Sequence, residues 1–478
     1  MSWRLRGVDG GIAQELDRLR ASFDLSESFP PEVEAEAGAA IDRLELPDLD
    51  HTDIPFVTID PLGATDLDQA LFLERAGEGY RVWYAIADVA AFVELGGVLD
   101  AEARRRGQTV YAPDGRIPLH PVSISEDAGS LLPGLDRSAY VWTFELDADA
   151  RLTKTGLARA RVRSRAQYDY EGVQWLIDNA GGAGAAANGG ADRSLLLLRE
   201  IGEKRIALER ERGGASLRRA DTEVLEKDGQ YSLELREPYE CEAWNAQISL
   251  LTGIAAAELM LAGRIGILRT MPPADDESIA RFRHQAAGLG TPWPRDVEYG
   301  EYLRRLDPAN PRHRAITQAA GALFRGAGYT AFDGETPEHS IQAAIAAPYA
   351  HATAPLRRLV DRFVLLVCDA LANGHPVDPA VREALPTLPG LMASSDGRVN
   401  QFEASAINII EAAVLAPRIG EVFDATVIAL RRGGGTVQLA DPAVTAVCEG
   451  ELENGSSIRV KLVEASVAEG RVTFIPAE

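Results

Sequence analysis

The stretch that decides the fold is residues 56–70, FVTIDPLGATDLDQA. A short run of strand-forming residues delivers Asp60, a Pro/Gly turn follows, and Asp66 and Asp68 come two positions apart. Residues two apart in an extended backbone face the same side, so the three carboxylates can converge at the end of a strand. Clustered carboxylates repel one another unless a cation lies between them, and Mg²⁺ prefers oxygen ligands. The stretch predicts a metal site for phosphate chemistry; on spacing alone, a solvated Asx-rich turn is the alternative.

The composition describes a large acidic protein. The chain has 478 residues, enough for two or three domains, and its formal net charge is −23. That charge argues against a general nucleic-acid coat protein, because such binding depends on neutralising phosphates. A nucleic-acid enzyme stays compatible with it, since a local basic channel can operate inside an acidic surface.

Three further features predict a cytoplasmic protein without a membrane partner. No apolar run approaches the roughly 18 residues needed to cross a bilayer. The first residues, MSWRLR, lack the apolar core of a signal peptide. The cysteines Cys241, Cys368 and Cys448 are odd in number and far apart, which favours buried reduced thiols over disulfides or a zinc site.

The hydrophobic pattern divides the chain into three parts. Residues 1–50 hold two helical patterns, which form either a helix-turn-helix-like cap or a packing arm, and we favour the arm slightly. Residues 51–416 mix short strands with helices. Residues 417–478 hold five short candidate strands with Gly-rich turns, the pattern of an OB-fold barrel, with a purely structural barrel as the alternative.

Individual elements follow from the same pattern. The predicted helices lie at 11–23, 31–44, 99–106, 194–212, 240–261, 276–289, 312–325, 355–373 and 398–415. Before the barrel, the predicted strands lie at 56–59, 70–73, 81–86 and 140–146, with a further β segment at 329–346. We also predict a Gly/Ala/Asn loop at 181–190 and a hairpin turn at Asp228-Gly229.

A second group of residues with phosphate-binding character is YAHATAPLRRL, residues 349–359. Thr353 is placed to cap a helix beginning at Pro355, and helix N-termini attract phosphate. Arg357 and Arg358 add fixed positive charge, which can offset the charge that builds on a reacting phosphate. The alternative is an exposed arginine pair on an amphipathic helix.

A third group is RRRGQTVYAPDGRIP, residues 104–118, in which basic residues lead into an aromatic residue and a turn. Tyr111 can stack on a terminal base, a contact worth roughly 1–3 kcal/mol. Standing alone, the stretch would be better explained as a helix-end charge cluster with a core tyrosine.

Together the three groups resemble the ribonuclease II/RNB family of 3′→5′ exoribonucleases. The matching blocks are PFVTID…ATDLDQA, YAIADVAAFV, LDAEARRRGQTVYAPDGRIPLHP and YAHATAPLRRLVDR, in family order over roughly residues 50–415. The resemblance implies an α+β fold, with an RNB-type catalytic domain at 51–416, a small helical N-terminal module at 1–50 and a C-terminal OB-fold RNA-binding barrel at 417–478. It implies hydrolysis of single-stranded RNA, or of RNA with a 3′ overhang, to 5′-mononucleotides with Mg²⁺ or Mn²⁺. We expect a monomer.

The resemblance also implies roles by motif position. The metal residues would be Asp60, Asp66, Asp68 and Gln69, with Asp68 also catalytic. Arg357 would lie near the scissile phosphate, with Arg358 as an RNA contact, and Tyr111 would stack on the 3′-terminal base and set where degradation stops. Glu403, in NQFE at 400–403, would lie near the terminal sugar, or would be a simple helix-face carboxylate.

The chain departs from the family pattern at several points. Gln69 stands where relatives usually carry another aspartate, so the metal site has less negative charge. Ala354 replaces a serine, and Leu359 stands where an aromatic residue is common. The two N-terminal cold-shock domains of the family have no room before residue 50. Two alternatives to an active enzyme follow: an RNB-like protein that only binds RNA, and a scaffold whose carboxylates decorate a turn.

Overall fold

The computed structural model describes residues 10–179, 190–215, 221–227, 230–307, 310–439, 441–442 and 444–477. Two predicted features, the loop at 181–189 and the turn at Asp228-Gly229, lie outside the described residues.

A six-stranded sheet carries the first part of the fold. The strands up to residue 168 are β1 Val57–Ile59, β2 Gln69–Ala76, β3 Gly79–Ala87, β4 Val110–Ala112, β5 Gly115–Ile117, β6 Asp136–Leu146, β7 Leu152–Arg163 and β8 Ala166–Tyr168. The sheet order is β7-β6-β3-β2-β1-β8, and β4 and β5 form a separate hairpin. Only the β1–β8 pair of this sheet is parallel. Three of the four predicted strands, those at 70–73, 81–86 and 140–146, were correct in place and too short, because cross-strand pairing extends them beyond their apolar centres, and the strand predicted at 56–59 is one residue shorter.

Helices cover the sheet on both faces. The helices in the described part of the chain are α1 Gly10–Ser22, α2 Pro31–Asp42, α3 Val98–Arg106, α4 Tyr170–Asp178, α5 Gly190–Glu211, α6 Glu240–Gly263, α7 Asp276–Gly288, α8 Tyr299–Arg304, α9 Pro311–Ala320, α10 Leu359–Ala372, α11 Pro379–Ala384 and α12 Leu388–Leu415. The main core lies between the sheet and α5, α6 and α10, around Trp142, Phe144, Trp244 and Phe363. A second core on the other face includes Phe56, Leu99 and Leu356.

Helix α6 corrects one prediction. It is long and apolar enough to cross a membrane, with an 18-residue window of mean hydropathy 1.4, whereas the sequence was expected to hold no such run. The helix packs against α5 and α10, and 56% of the window is buried. Its apolar residues therefore belong to the protein core, which passes the same length and composition test as a membrane span.

Two-stranded ribbons and a helical insertion follow. The ribbons pair β9 Asp221–Lys227 with β10 Gln230–Arg236, β11 Ile265–Thr270 with β12 Gly328–Asp333, and β13 Ile341–Gln342 with β14 Ala347–Pro348. The predicted β segment at 329–346 is thus shorter, since residues 334–340 form no strand. Between β11 and β12, helices α7–α9 build a small aromatic core around Phe282, Trp293 and Tyr302.

The C-terminal part is a closed barrel, as the sequence predicts. Its strands are β15 Val422–Arg431, β16 Gly434–Leu439, β17 Thr445–Glu449, β18 Ser457–Ser466 and β19 Arg471–Pro476, in the order β15-β16-β17-β19-β18. Helices α1 and α12 share a core with it, formed by residues such as Leu16, Phe402 and Phe423. Helix α1 packs on α12 and α2 packs on α3, and the role of this N-terminal module stays a prediction.

Candidate active site

The three aspartates lie on one connection at the sheet edge. Asp60 follows β1 and Asp68 precedes β2, and these strands are antiparallel with Val57 opposite Leu71. Gly63 turns the chain between them with φ +75°, a conformation that favours glycine. The pairing brings Asp60 and Asp68 to the same edge, as the sequence pattern requires.

Asp68 is the most buried of the three, with 3% of its surface exposed. Its Oδ1 accepts a hydrogen bond from the Leu356 backbone N–H at 2.8 Å, and its Oδ2 accepts one from Arg357 Nε at 3.1 Å. Burial raises the pKa of Asp68 to about 8, and the Arg357 charge opposes that rise. The carboxylate is thus held in place by the loop that carries the arginine.

Asp60 and Asp66 have different surroundings. Asp60 Oδ2 is buried with no hydrogen-bond partner among the residues the structure describes, and burial raises the pKa of Asp60 to about 7. Asp66 Oδ1 accepts a hydrogen bond from Arg116 Nη1 at 2.6 Å, and its Oδ2 is 3.5 Å from the Tyr111 hydroxyl. The charge of Asp66 contributes to the raised pKa of Asp60, so these two carboxylates face the same region.

This donor set fits a hard divalent cation. It offers carboxylate oxygens, which such ions prefer, and one of them is buried and lacks a proton donor. Within the described ranges, no three His, Cys, Asp or Glu side chains already form a metal-ligand cluster. The arginines Arg357 and Arg116 hold Asp68 and Asp66 instead.

Gln69 uses both ends of its amide within the protein. Its Oε1 accepts a hydrogen bond from the Tyr84 hydroxyl at 3.0 Å, and its Nε2 donates to the Thr353 carbonyl. Gln69 therefore connects β2 to the segment that precedes the arginines. Its predicted role as a metal residue stays a prediction.

The arginine segment corrects the sequence-based boundary. Helix α10 begins at Leu359, so Thr353 caps no helix and Arg357 and Arg358 lie in the turn before it. Two hydrogen bonds from the backbone compete with helix formation here. The Ala354 N–H donates to Asp361 Oδ1 at 2.7 Å, and the Leu356 N–H donates to Asp68 Oδ1. The positive groups of this site are thus side chains, without a helix N-terminus at Pro355.

One cleft collects the residues predicted to contact RNA. Tyr111, Arg357, Arg358 and Glu403 all line an opening of about 260 Å³. Other lining residues are Gln108, Thr109, Asp396, Val399 and Asn400. Helix α12 contributes Asp396, Val399, Asn400 and Glu403, a helical periodicity that places them on one face. Burial raises the pKa of Glu403.

Within this cleft, Tyr111 and Arg357 are differently exposed. Tyr111 stands on the β4–β5 hairpin, and burial raises the pKa of its hydroxyl to about 12. Nearly half of the Arg357 side chain, 45%, is open to solvent. The Arg357 backbone is fixed, since its carbonyl accepts from the Thr109 N–H at 2.9 Å. The β4–β5 hairpin and the turn that holds Arg357 therefore form one continuous wall of the cleft.

Sequence reasoning missed Arg116 and Glu126. Arg116 bridges Asp66 and Glu126, with an Nη2 to Glu126 Oε2 distance of 2.6 Å, and it also donates to the Thr65 hydroxyl. The available signal was an arginine directly after the Asp114-Gly115 turn, in the block that holds Tyr111. Glu126 had no such signal, because it lies 61 positions from Thr65 and meets it only through the fold.

Comparisons with known proteins show the family of the chain. Two family models match the chain: the RNB domain over residues 48–373 and the RNase II-type exonuclease C-terminal S1 domain over residues 421–477. Ribonuclease R of Escherichia coli is 28% identical over 375 residues, which are 74% of this chain and 44% of that protein. Ribonuclease R of Thermotoga maritima is 26% identical over 453 residues, which are 91% of this chain and 63% of that protein. The chain thus spans 44–63% of the length of these two relatives.

Solved structures show the same fold. The apo form of Mycoplasma genitalium RNase R superposes with a TM-score of 0.87 at 18% identity, covering 98% of this chain and 78% of that one. The structure of yeast Ssd1, a pseudonuclease, superposes with a TM-score of 0.73 at 17% identity, covering 95% and 58%.

Proposed function

The chain belongs to the RNB family, and from that premise we propose that it is a hydrolytic 3′→5′ exoribonuclease releasing 5′-mononucleotides. The observation that carries the proposal is the meeting of two features at one place. Asp68, on the same connection as Asp60 and Asp66, forms an ion pair with Arg357, and Arg357 also lines the cleft with Tyr111 and Glu403. A group of three aspartates that suits a cation therefore lies beside a cleft. The size of this cleft suits a nucleotide.

Asp60, Asp66 and Asp68 would hold the cation. RNB nucleases generally depend on a divalent metal, and we propose Mg²⁺, with Mn²⁺ as a substitute. When bound, such an ion activates a water molecule and offsets charge on a reacting phosphodiester. The unpaired Asp60 Oδ2 supports this assignment, because a buried carboxylate oxygen without a donor is unfavourable until a cation reaches it.

Arg357 stabilises the phosphate. Its Nε is engaged by Asp68, and its exposed part reaches into the cleft, so its terminal nitrogens can donate to a phosphate oxygen. A donor held in place before the reaction costs no reorganisation when charge develops on the phosphate. Arg358 is held by Asp361 at 3.0 Å and adds a second positive charge to the same wall.

Tyr111 and Glu403 bind the terminal nucleotide. The ring of Tyr111 offers a stacking surface for a base at the end of the cleft. Glu403, from α12, is placed to accept hydrogen bonds from ribose hydroxyls, and such hydroxyls distinguish RNA from DNA.

The substrate we propose is single-stranded RNA or RNA with a 3′ overhang. The S1 family match of the barrel supports RNA binding there, and one solved relative is Mycoplasma genitalium RNase R in complex with ribose methylated single-stranded RNA. We further propose a monomer in the cytoplasm. Its three cysteines are buried and unpaired, which suits a reducing compartment.

A second candidate is an RNA-binding protein without activity. Gln69 favours it, because it removes a family carboxylate, and the fold likeness to the pseudonuclease Ssd1 supports it. Incubation of the purified protein with RNA and Mg²⁺, followed by chromatography of the products, separates the two. We expect nucleoside 5′-monophosphates that disappear with a chelator. Bound RNA without product release would establish the inactive binder.

A further inference from the structure

We propose that Gln69 is a positioning residue that fixes the arginine loop, residues 353–358, and is not a metal ligand. Of the measurements that test this inference, only the cleavage rate rests on the proposed function. It explains how the chain uses the position at which relatives usually carry an aspartate.

The hydrogen bonds around Gln69 have one consistent direction. The Thr353 carbonyl can only accept, so the Gln69 NH₂ group must face it and the Gln69 carbonyl must face Tyr84. The Tyr84 hydroxyl, whose oxygen is 2.7 Å from Ser249 Oγ, donates its proton to Gln69 and accepts from the serine. This chain of hydrogen bonds links core helix α6, strands β3 and β2, and the arginine loop.

Gln69 and its neighbour Asp68 hold the two ends of that loop. Gln69 binds Thr353 at the start, and Asp68 binds Leu356 and Arg357 at the end. Adjacent residues of an extended chain point to opposite faces, and accordingly Tyr84 belongs to the main core while Leu356 belongs to the second core. Two adjacent residues at the start of β2, whose side chains point to opposite faces, therefore both hold the arginine loop.

A carboxylate at position 69 could not make the same contacts. It has no N–H to donate to Thr353, and its charge would face a carbonyl oxygen and add to the carboxylates at Asp60 and Asp68. Compared with an aspartate, the glutamine therefore brings no negative charge near the metal residues, and it holds the arginine loop in place. Both amide ends are already engaged, which leaves this side chain little freedom to turn toward a cation.

The test uses Gln69→Met in the full chain, because methionine has a similar length and neither amide function. We expect the backbone amides of the loop to exchange hydrogen about tenfold faster by mass spectrometry, and single-turnover RNA cleavage to slow about tenfold. The dissociation constant for Mn²⁺, measured by calorimetry without RNA, should change by less than about twofold. A metal ligand would give the reverse pattern: Mn²⁺ binding weakened tenfold or more with unchanged loop exchange, which would overturn the proposal.

Two further variants keep the result interpretable. Gln285→Met removes an equivalent bond, from Gln285 Nε2 to the Ile428 carbonyl at 2.8 Å, and should leave loop exchange and Mn²⁺ binding unchanged. Should Gln69→Met not fold, Tyr84→Phe removes the hydroxyl that orients the Gln69 amide, and we expect loop exchange several-fold faster with unchanged Mn²⁺ binding. Unchanged exchange in Tyr84→Phe would overturn the proposal.

The family-like variant Gln69→Asp completes the comparison. We expect faster loop exchange and slower cleavage than in the wild type, and faster cleavage with unchanged exchange would overturn the inference. Failure of the proposed function is separately visible, since the wild-type protein would then release no nucleotides whatever the exchange data show.

Discussion

Asp68 connects the three aspartates of the site to the arginine loop, because it accepts hydrogen bonds from Leu356 and Arg357. A neutral side chain at this position keeps the acceptor for Leu356 and loses the charge that balances Arg357. We therefore expect Asp68→Asn to lower the single-turnover cleavage rate by about 10²–10³-fold, the usual cost of one charge-stabilising group. RNA affinity, measured by filter binding, should stay within about threefold.

The control for Asp68 is Asp276→Asn, an exposed aspartate at the start of α7. It should cleave like the wild type. Normal cleavage by Asp68→Asn would mean that the site assignment is wrong.

We propose that Tyr111 sets how short an RNA the cleft can still hold. Removing its ring costs roughly 1–3 kcal/mol of base stacking, which matters most when few other nucleotides are bound. We expect Tyr111→Ala to stop at a longer limit product, read from a sequencing-type gel, while Tyr111→Phe stops where the wild type does. An unchanged limit product in the alanine variant would exclude terminal stacking by this residue.

At the scale of single residues, the motifs supplied most residues of the candidate site, and their roles stay predictions. Asp60, Asp66, Asp68, Tyr111, Arg357 and Glu403 stand in local patterns, and the fold places the last three in one cleft. Arg116 and Glu126 were missed because ion pairing across distant segments leaves no periodic signal. The setting of Gln69 was also unpredictable, since its partners Tyr84 and Thr353 come from β3 and from a loop far along the chain.

At the scale of elements, the sequence predicted the barrel strands and six of the nine helix starts to within one residue, and it missed strands such as β7. The barrel strands are bounded by Gly-rich turns, which is why they agree closely with the sequence pattern. Helix α10 begins four residues after the predicted Pro355, because Asp68 and Asp361 bind the backbone that a helix would use. Helix α12 begins ten residues before the predicted 398, since Pro389 is accepted in its first turn.

The contact between α12 and the barrel contains a partly buried acid, Glu411. Burial raises the pKa of Glu411 to about 7 from an ordinary value near 4.5, and the nearby Thr445 backbone opposes that rise. Because the folded pKa is the higher one, the stabilising effect of protonated Glu411 is lost as pH rises from 4.5 through 7.

We expect Glu411→Gln to remove this pH dependence. The free energy of unfolding is measured with urea at pH 5.5 and at pH 8. From the lower to the higher pH, it should fall by about 2 kcal/mol more in the wild type than in the variant. The exposed Glu451→Gln on the barrel should behave as the wild type does. Parallel pH profiles for wild type and Glu411→Gln would show that this acid is not buried in the folded protein.

At the scale of the whole molecule, the cleft lies between the sheet domain and helix α12. The sheet domain supplies the aspartates, α12 supplies Glu403 and joins the barrel, and the α7–α9 insertion contacts the barrel through Gln285 and Ile428. The chain carries a net charge of −23, and the cleft lining combines two arginines, Arg357 and Arg358, with two acidic residues, Asp396 and Glu403. We therefore expect RNA to bind more favourably at the cleft, where the two arginines offer fixed positive charge, than over the acidic surface.

The central claim is degradation from the 3′ end at this cleft. The most direct measurement is a time course with 5′-labelled single-stranded RNA and Mg²⁺, using one RNA with a free 3′ end and one with a blocked 3′ end. We predict that the free RNA shortens stepwise to a small labelled limit product while the blocked RNA persists. Immediate release of labelled mononucleotide, equal cleavage of both RNAs, or bound RNA that never shortens would contradict the account.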